Sequence, residues 1–97
     1  MRMPIESETF RLGDCLNYPC KGEIVGVHYD LRDQFDQLIE STRERGKILE
    51  WRVGSASVLE EVDLAVRRIS LGGKERIKIV TEDGKTLVYE LELIYIK

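Results

Sequence analysis

Across 97 residues this chain has two cysteines, one histidine, two prolines and one tryptophan. Each scarcity removes a class of function. Cys15 and Cys20, five apart and joined by a single histidine, His28, do not make a four-ligand zinc site. A disulfide between them is possible but unforced, because a chain with 42% hydrophobic residues can build its own core. Both are expected to be reduced thiols. No stretch approaches the roughly 20 apolar residues that span a bilayer. The start, Met1-Arg2-Met3-Pro4-Ile5-Glu6, lacks the apolar run of a signal peptide. Basic excess is also missing: 15 Lys and Arg stand against 18 Asp and Glu, a net charge of −3. The basic groups that cluster, Arg43, Arg45, Lys47 and Lys74, Arg76, Lys78, alternate with acidic or apolar residues. That pattern is a solvated surface, so no nucleic-acid partner is expected. Repeats and low-complexity runs are lacking too. One domain over residues 1–97, with no membrane association, is the expectation for a chain of this size. The expected location is the cytoplasm, with the nucleus left open.

What is present is hydrophobic periodicity. Residues 1–21 are irregular in pattern, with turn chemistry at Gly13-Asp14 and Asn17-Tyr18-Pro19. Glu23 to Tyr29 is β-branched and apolar, a strand. Lys47 to Val53 is a second strand, with Leu49, Trp51 and Val53 on one face. Ser57 to Ile69 is the clearest helix. Ser57 and Glu60 have the spacing of a capping box, and Glu60, Glu61 and Asp63 sit at the positive end of the dipole. Val58, Leu59, Val62, Val66 and Ile69 share a face, and Gly72-Gly73 stops the run. Those three acids fit dipole compensation better than a paired-carboxylate active site. Lys74 to Val80 and Thr86 to Ile96 alternate as strands around a tight turn at Asp83-Gly84. Leu87, Tyr89, Leu91 and Leu93 make the apolar face of the second, and Val88, Glu90, Glu92 and Ile94 its wet face. Residues 30–44 are ambiguous, with a helix over 31–38 one option. Leu31, Phe35, Leu38 and Ile39 recur at helical spacing with Asp30 as a possible cap, while an extended strand through Leu38 to Ser41 is the alternative. The composite is α+β, a curved antiparallel sheet wrapped around one short helix.

The ordered set of motifs resembles FKBP-type peptidyl-prolyl cis-trans isomerases. Gly22 followed by Val27-His28-Tyr29 is similar to that family's glycine and Val-His-Tyr strand. Ser41-Thr42-Arg43-Glu44-Arg45 resembles its Ser-Ser-x-x-Arg segment. Gly54 with Val58-Leu59 resembles the glycine and Val-Ile pair that open its helix. Gly72 matches the glycine after that helix, and Thr86 to Leu93 matches its Thr-Leu-x-Phe-x-Val-Glu-Leu ending. Each piece alone is weak, but in this order, from Gly13 to Lys97, they are specific.

The resemblance implies a proline-containing peptide or protein as partner and no cofactor or metal. It implies a pocket at Tyr29, Ile39, Glu40, Arg45, Leu49, Val58, Leu59, Val62 and Tyr89. Tyr29 stands at the rim tyrosine, and Glu40 takes the place of the rim aspartate, with Arg45 to pair it. The N–H of Leu59 stands where the family receives a ligand carbonyl. Ile39 and Leu49 replace aromatic walls, and Tyr89 replaces a phenylalanine. Val62 occupies the floor, where the family has a tryptophan. The long overhanging loop of the family is reduced to Val80-Thr81-Glu82-Asp83-Gly84-Lys85. Phe35-Asp36 offers another Phe-Asp pair, but the ungapped placement falls on Ile39-Glu40. Trp51 is read as a core residue, or as a replacement floor leaning into the space Val62 leaves. His28 is read as a partly buried, hydrogen-bonded strand histidine. Activity is expected to be weak or absent, and the alternative is a non-catalytic FKBP-like protein-binding module or subunit of a larger assembly.

Overall fold

The polypeptide alternates short apolar runs with glycine turns, and the computed structural model, which describes residues 6–97, lays those runs into six strands and two short helices. In chain order they are β1 (Glu6–Arg11), β2 (Ile24–Asp33), β3 (Leu38–Ser41), α1 (Thr42–Arg45), β4 (Leu49–Arg52), α2 (Glu60–Val66), β5 (Lys74–Val80) and β6 (Thr86–Ile96). The sheet order is β1-β5-β6-β2-β3, with β4 also paired to β2, and every pairing is antiparallel. This is the expected curved α+β sheet around a short helix.

One face of the sheet carries the core. Val25, Val27, Ile77, Ile79, Leu91 and Leu93 are fully buried, and α2 packs onto them with Val62, Ala65 and Val66. These are the alternating positions of β2, β5 and β6 and one stripe of a helix, so each period meets the other across the layer. The β5–β6 turn forms as expected. Gly84 takes φ 83°, and Thr81 N–H donates to Lys85 C=O at 2.8 Å.

Four expectations are corrected. The N-terminal segment is not wholly irregular, because Glu6–Arg11 pairs with β5 at the sheet edge. Its sequence has no apolar alternation. What holds it is the open edge of β5, with Glu8 opposite Arg76 and the Arg76 guanidinium 4.7 Å above the Phe10 ring. Residues 1–5, read with it as irregular, lie outside the described residues. Next, α2 starts at Glu60 and has no side-chain cap. Ser57 Oγ instead meets Ser55 Oγ at 2.7 Å, within a turn where Ala56 takes φ 61°. The helix also ends at Val66 rather than Ile69. The last turn tightens, with Arg68 N–H to Ala65 C=O and Ile69 N–H to Val66 C=O. Lastly, the helical option over 31–38 fails. β2 runs on to Asp33, Asp33 Oδ1 gathers the N–H groups of Phe35 and Gln37 into a tight turn, and β3 returns. Asp30 caps nothing there and accepts the Ser41 hydroxyl at 2.6 Å.

Gly26 shows why β2 tolerates a glycine in its middle. A Cβ there would overlap the Tyr95 ring, which lies over the strand.

Candidate functional site

Antiparallel register brings the core-facing residues of neighbouring strands side by side. Tyr29 lies opposite Leu91, Leu31 opposite Tyr89 on one side and Glu40 on the other. The Tyr29 and Tyr89 rings are 5.8 Å apart, inclined at 44°, an aromatic pair on one end of the sheet face. Tyr29 is buried, whereas Tyr89, Leu31, Leu49, Val58 and Leu59 are half-buried and pack against the cluster that contains Tyr29 and Val62. Val62 itself is 3% exposed.

The polar rim is set by α1. Ser41 accepts the Glu44 N–H, Gly46 closes the turn in the left-handed region, and Arg45 is thereby returned toward β2. Arg45 Nη2 donates to the Tyr29 hydroxyl oxygen at 3.4 Å and lies 3.7 Å from Glu40 Oε1. A phenol that accepts from a guanidinium keeps its own proton available for a carbonyl. A second donor stands at the start of α2. Leu59 N–H makes no hydrogen bond among the described residues. The expected residues therefore gather, with one exception. Ile39 sits in the bulge between Arg32–Leu38 and Leu31–Glu40 and is 55% exposed, so it closes no wall. Phe35-Asp36 lies in the β2–β3 turn with Phe35 74% exposed, while Glu40 is the carboxylate beside Arg45.

Three residues in or beneath this constellation were not singled out for these roles from sequence. Leu31 lies in the row between Tyr89 and Glu40. Thr42 is fully buried, and its hydroxyl accepts the Tyr29 N–H at 2.9 Å and donates to the Tyr29 carbonyl at 3.3 Å. His28 Nδ1 lies 2.9 Å from Thr42 Oγ1, so the histidine is the hydrogen-bonded strand residue expected. Thr42→Val, which keeps the shape and removes the hydroxyl, should cost about 1–3 kcal/mol in a urea unfolding titration. An unchanged midpoint would show that the clamp on β2 contributes nothing. Asp63 is the third. It is 6% exposed, and its Oδ1 accepts from Trp51 Nε1 at 2.9 Å and from Gly54 N–H at 3.0 Å. Trp51 is thus a core residue, with its indole N–H directed to Asp63. The signal available in sequence was Trp51, since a buried indole N–H needs an acceptor.

Among the described residues no group of three His, Cys, Asp or Glu is placed to hold a metal, and Cys15 and Cys20 are free and exposed. No helix of the described residues is long and apolar enough to cross a membrane.

Tyr29, Tyr89, Arg45 and Glu40 thus lie together at one end of the sheet face. The profile of the family described as FKBP-type peptidyl-prolyl cis-trans isomerase matches residues 15–94. The chain belongs to that family. It is similar to FK506-binding protein 1 of Kluyveromyces lactis, at 28% identity over 97 residues covering 87% of this chain and 85% of the relative. FK506-binding protein 1 of Yarrowia lipolytica is 28% identical over 105 residues, covering 95% of this chain and 97% of the relative. FK506-binding protein 1A of Aspergillus fumigatus is 26% identical, covering 95% and 94%. The FKBP match thus begins at Cys15, and β1 lies before it.

Proposed function

We propose that this FKBP-family chain is a weak prolyl isomerase whose site keeps the aromatic pair and the polar rim and lacks a deep floor. The observation that carries the reading is the convergence of Tyr29, Tyr89, Glu40 and Arg45 on one end of the sheet face, with Arg45 Nη2 3.4 Å from the Tyr29 hydroxyl. Rotation about a prolyl bond must cross about 18–20 kcal/mol because the planar amide is resonance-stabilised. The twisted amide has lost that resonance, so its carbonyl is less dipolar. An apolar lining of Tyr89, Leu49, Val58 and Leu59 removes water that favours the planar form, and stabilises the twisted one by comparison. The Tyr29 hydroxyl and the Leu59 N–H orient the substrate carbonyls.

The floor limits this. A valine at position 62 forgoes the ring contact an indole would give a proline, worth about 1.5–3 kcal/mol by apolar area. If that contact is made mainly in the transition state, the rate falls roughly 10- to 150-fold. The five-residue turn between Val80 and Thr86 supplies no overhang. The same deficits weaken any binding of FK506, the ligand in the names of the relatives.

The test is a cis–trans exchange assay on a Leu-Pro tetrapeptide at micromolar protein. Acceleration above buffer is expected, falling several-fold in Tyr29→Phe, which keeps the ring and removes the donor. Folded protein that gives no acceleration sinks the catalytic reading. A non-catalytic binding module would then remain, a reading supported by the 55% exposure of Ile39 at the rim.

A further inference from the structure

We propose that the groove between the 12–18 loop and the 68–75 turn is a second protein-docking site. It is separate from the prolyl site and takes a peptide segment that carries an apolar side chain beside a carboxylate. Two independent observations meet there.

The first is rigid exposure. Leu12, Leu16 and Tyr18 are 74%, 82% and 44% exposed. Single exposed hydrophobics on a loose loop need no explanation, but this loop is bolted down. Asp14 N–H donates to Leu71 C=O and Leu71 N–H to Asn17 C=O, both at 2.9 Å. Cys15 N–H donates to Ser70 Oγ at 3.1 Å. Asp14 Oδ1 gathers the N–H groups of Leu16 and Asn17 at 3.0 Å each. Those bonds hold the carboxyl below its usual range. Gly13 lies so close to the Ser70 and Leu71 carbonyls that a Cβ would overlap them. The loop's backbone is ordered before any partner arrives, which removes part of the entropic cost of binding. The side chains it displays are apolar.

The second observation is charge. Leu12 and Tyr18 line a groove with Arg11, Arg68, Lys74 and Glu75. Glu75 is 6% exposed and already engaged by Arg68 at 3.1 Å. Arg11 shares one carboxylate, Glu92, with Arg43. Lys74 has no ion-pair partner among the described residues. In a chain of net charge −3 the groove lining holds three cations, Arg11, Arg68 and Lys74, to one carboxylate, Glu75. Glu92, opposite Lys74 in the ladder, is taken up by Arg11 and Arg43, and Asp14 in the 12–18 loop is not among the lining residues. An incoming carboxylate meets an ammonium that has no ion pair among the described residues, and an incoming apolar side chain meets Leu12 and Tyr18. A neutral or basic segment would gain only the second.

The experiment is an amide-resolved NMR titration of the 15N-labelled chain with acetyl-Glu-Phe-Glu-Leu-Glu-amide and with its Gln-for-Glu counterpart. Saturable shifts of the amides of residues 12–18 and 68–75 are expected. The dissociation constant should rise at least tenfold for the Gln peptide and for the double variant Leu12→Ser, Tyr18→Ser. Lys74→Gln, at a half-buried strand end, should give the same loss and covers the case in which the double variant does not fold. The proposal is overturned by no saturable shift at millimolar peptide, by equal response to the Gln peptide, or by shifts centred on Tyr29 and Tyr89. It is equally overturned if those amides move with protein concentration alone, since a second copy of the chain would then be the occupant.

Discussion

Asp63→Ala should lower stability by about 3–5 kcal/mol, because it leaves three donors without their shared acceptor. Trp51 Nε1 donates to Asp63 at 2.9 Å, Gly54 N–H at 3.0 Å and Arg67 Nη2 at 2.8 Å. One carboxylate therefore ties β4, the turn after it and α2 together. No apolar replacement can supply this, and Arg67 Nε is already buried without a partner among the described residues. A domain of this size is stable by only about 5–15 kcal/mol, so the loss should lower Tm by at least about 12 °C. Urea unfolding followed by Trp51 fluorescence reads both the loss and the altered indole environment. A shift equivalent to under about 0.5 kcal/mol would refute the assignment. Acidity gives a second readout. Burial alone pushes the Asp63 carboxyl up, but the bonds from Gly54, Trp51 and Arg67 outweigh it and hold the group below the usual carboxylate range. The unfolded chain then takes up the proton at higher pH than the folded one. Stability is fully present above the ordinary carboxylate range and is lost as pH falls through the folded value. The acid limb of the stability curve should be shallower in Asp63→Ala. It should not vanish, because Glu92 is also held low: burial raises it, and Arg43 and Arg11 more than offset that.

The strands whose sequence periods coincide with burial were legible from the residues. β5 and β6 begin and end where Ile77, Ile79 and the Leu87-to-Leu93 alternation place them, joined at Asp83-Gly84. β1 was not legible, since Glu-Ser-Glu-Thr-Phe-Arg carries no period and becomes a strand only through an edge more than sixty residues away in sequence. The spacing Leu31, Phe35, Leu38, Ile39 was a coincidence of order. Three of the four are exposed, and the backbone there follows the Asp33 turn rather than the apolar pattern. Ser57 and Glu60 likewise had the right spacing for a cap, but the turn through Ala56 uses that serine for itself. At the proposed site, Tyr29, Glu40, Arg45 and Tyr89 could be named as candidates because their order along the chain matches a known family. Thr42 and Asp63 could not be placed that way. Their roles rest on hydrogen bonds across the fold, to β2 and to Trp51, and no local spacing encodes those.

Val62→Trp should raise the isomerisation rate per enzyme by roughly 10- to 150-fold while lowering stability by about 1–3 kcal/mol. The two effects have different origins. Val62 is 3% exposed on α2, so a larger side chain must displace neighbours, and the core resists that. The residues packed beside this cluster at the proposed site, Leu49, Val58, Leu59 and Tyr89, are only half-buried. An indole directed between them would cover surface that water now reaches and give a proline ring a flat floor. The measurement pairs the Leu-Pro exchange assay with titration by FK506. The new indole should report ligand through quenching, while Trp51, held by Asp63 inside the core, stays constant. A rate gain with tighter FK506 binding would mean that the floor alone limits this chain. Loss of stability without any gain would mean that the half-buried ring has closed over Val62. Tyr29, Arg45 and Glu40 would then form a rim with no cavity behind it, and the chain would act by binding protein surfaces rather than by turning prolyl bonds.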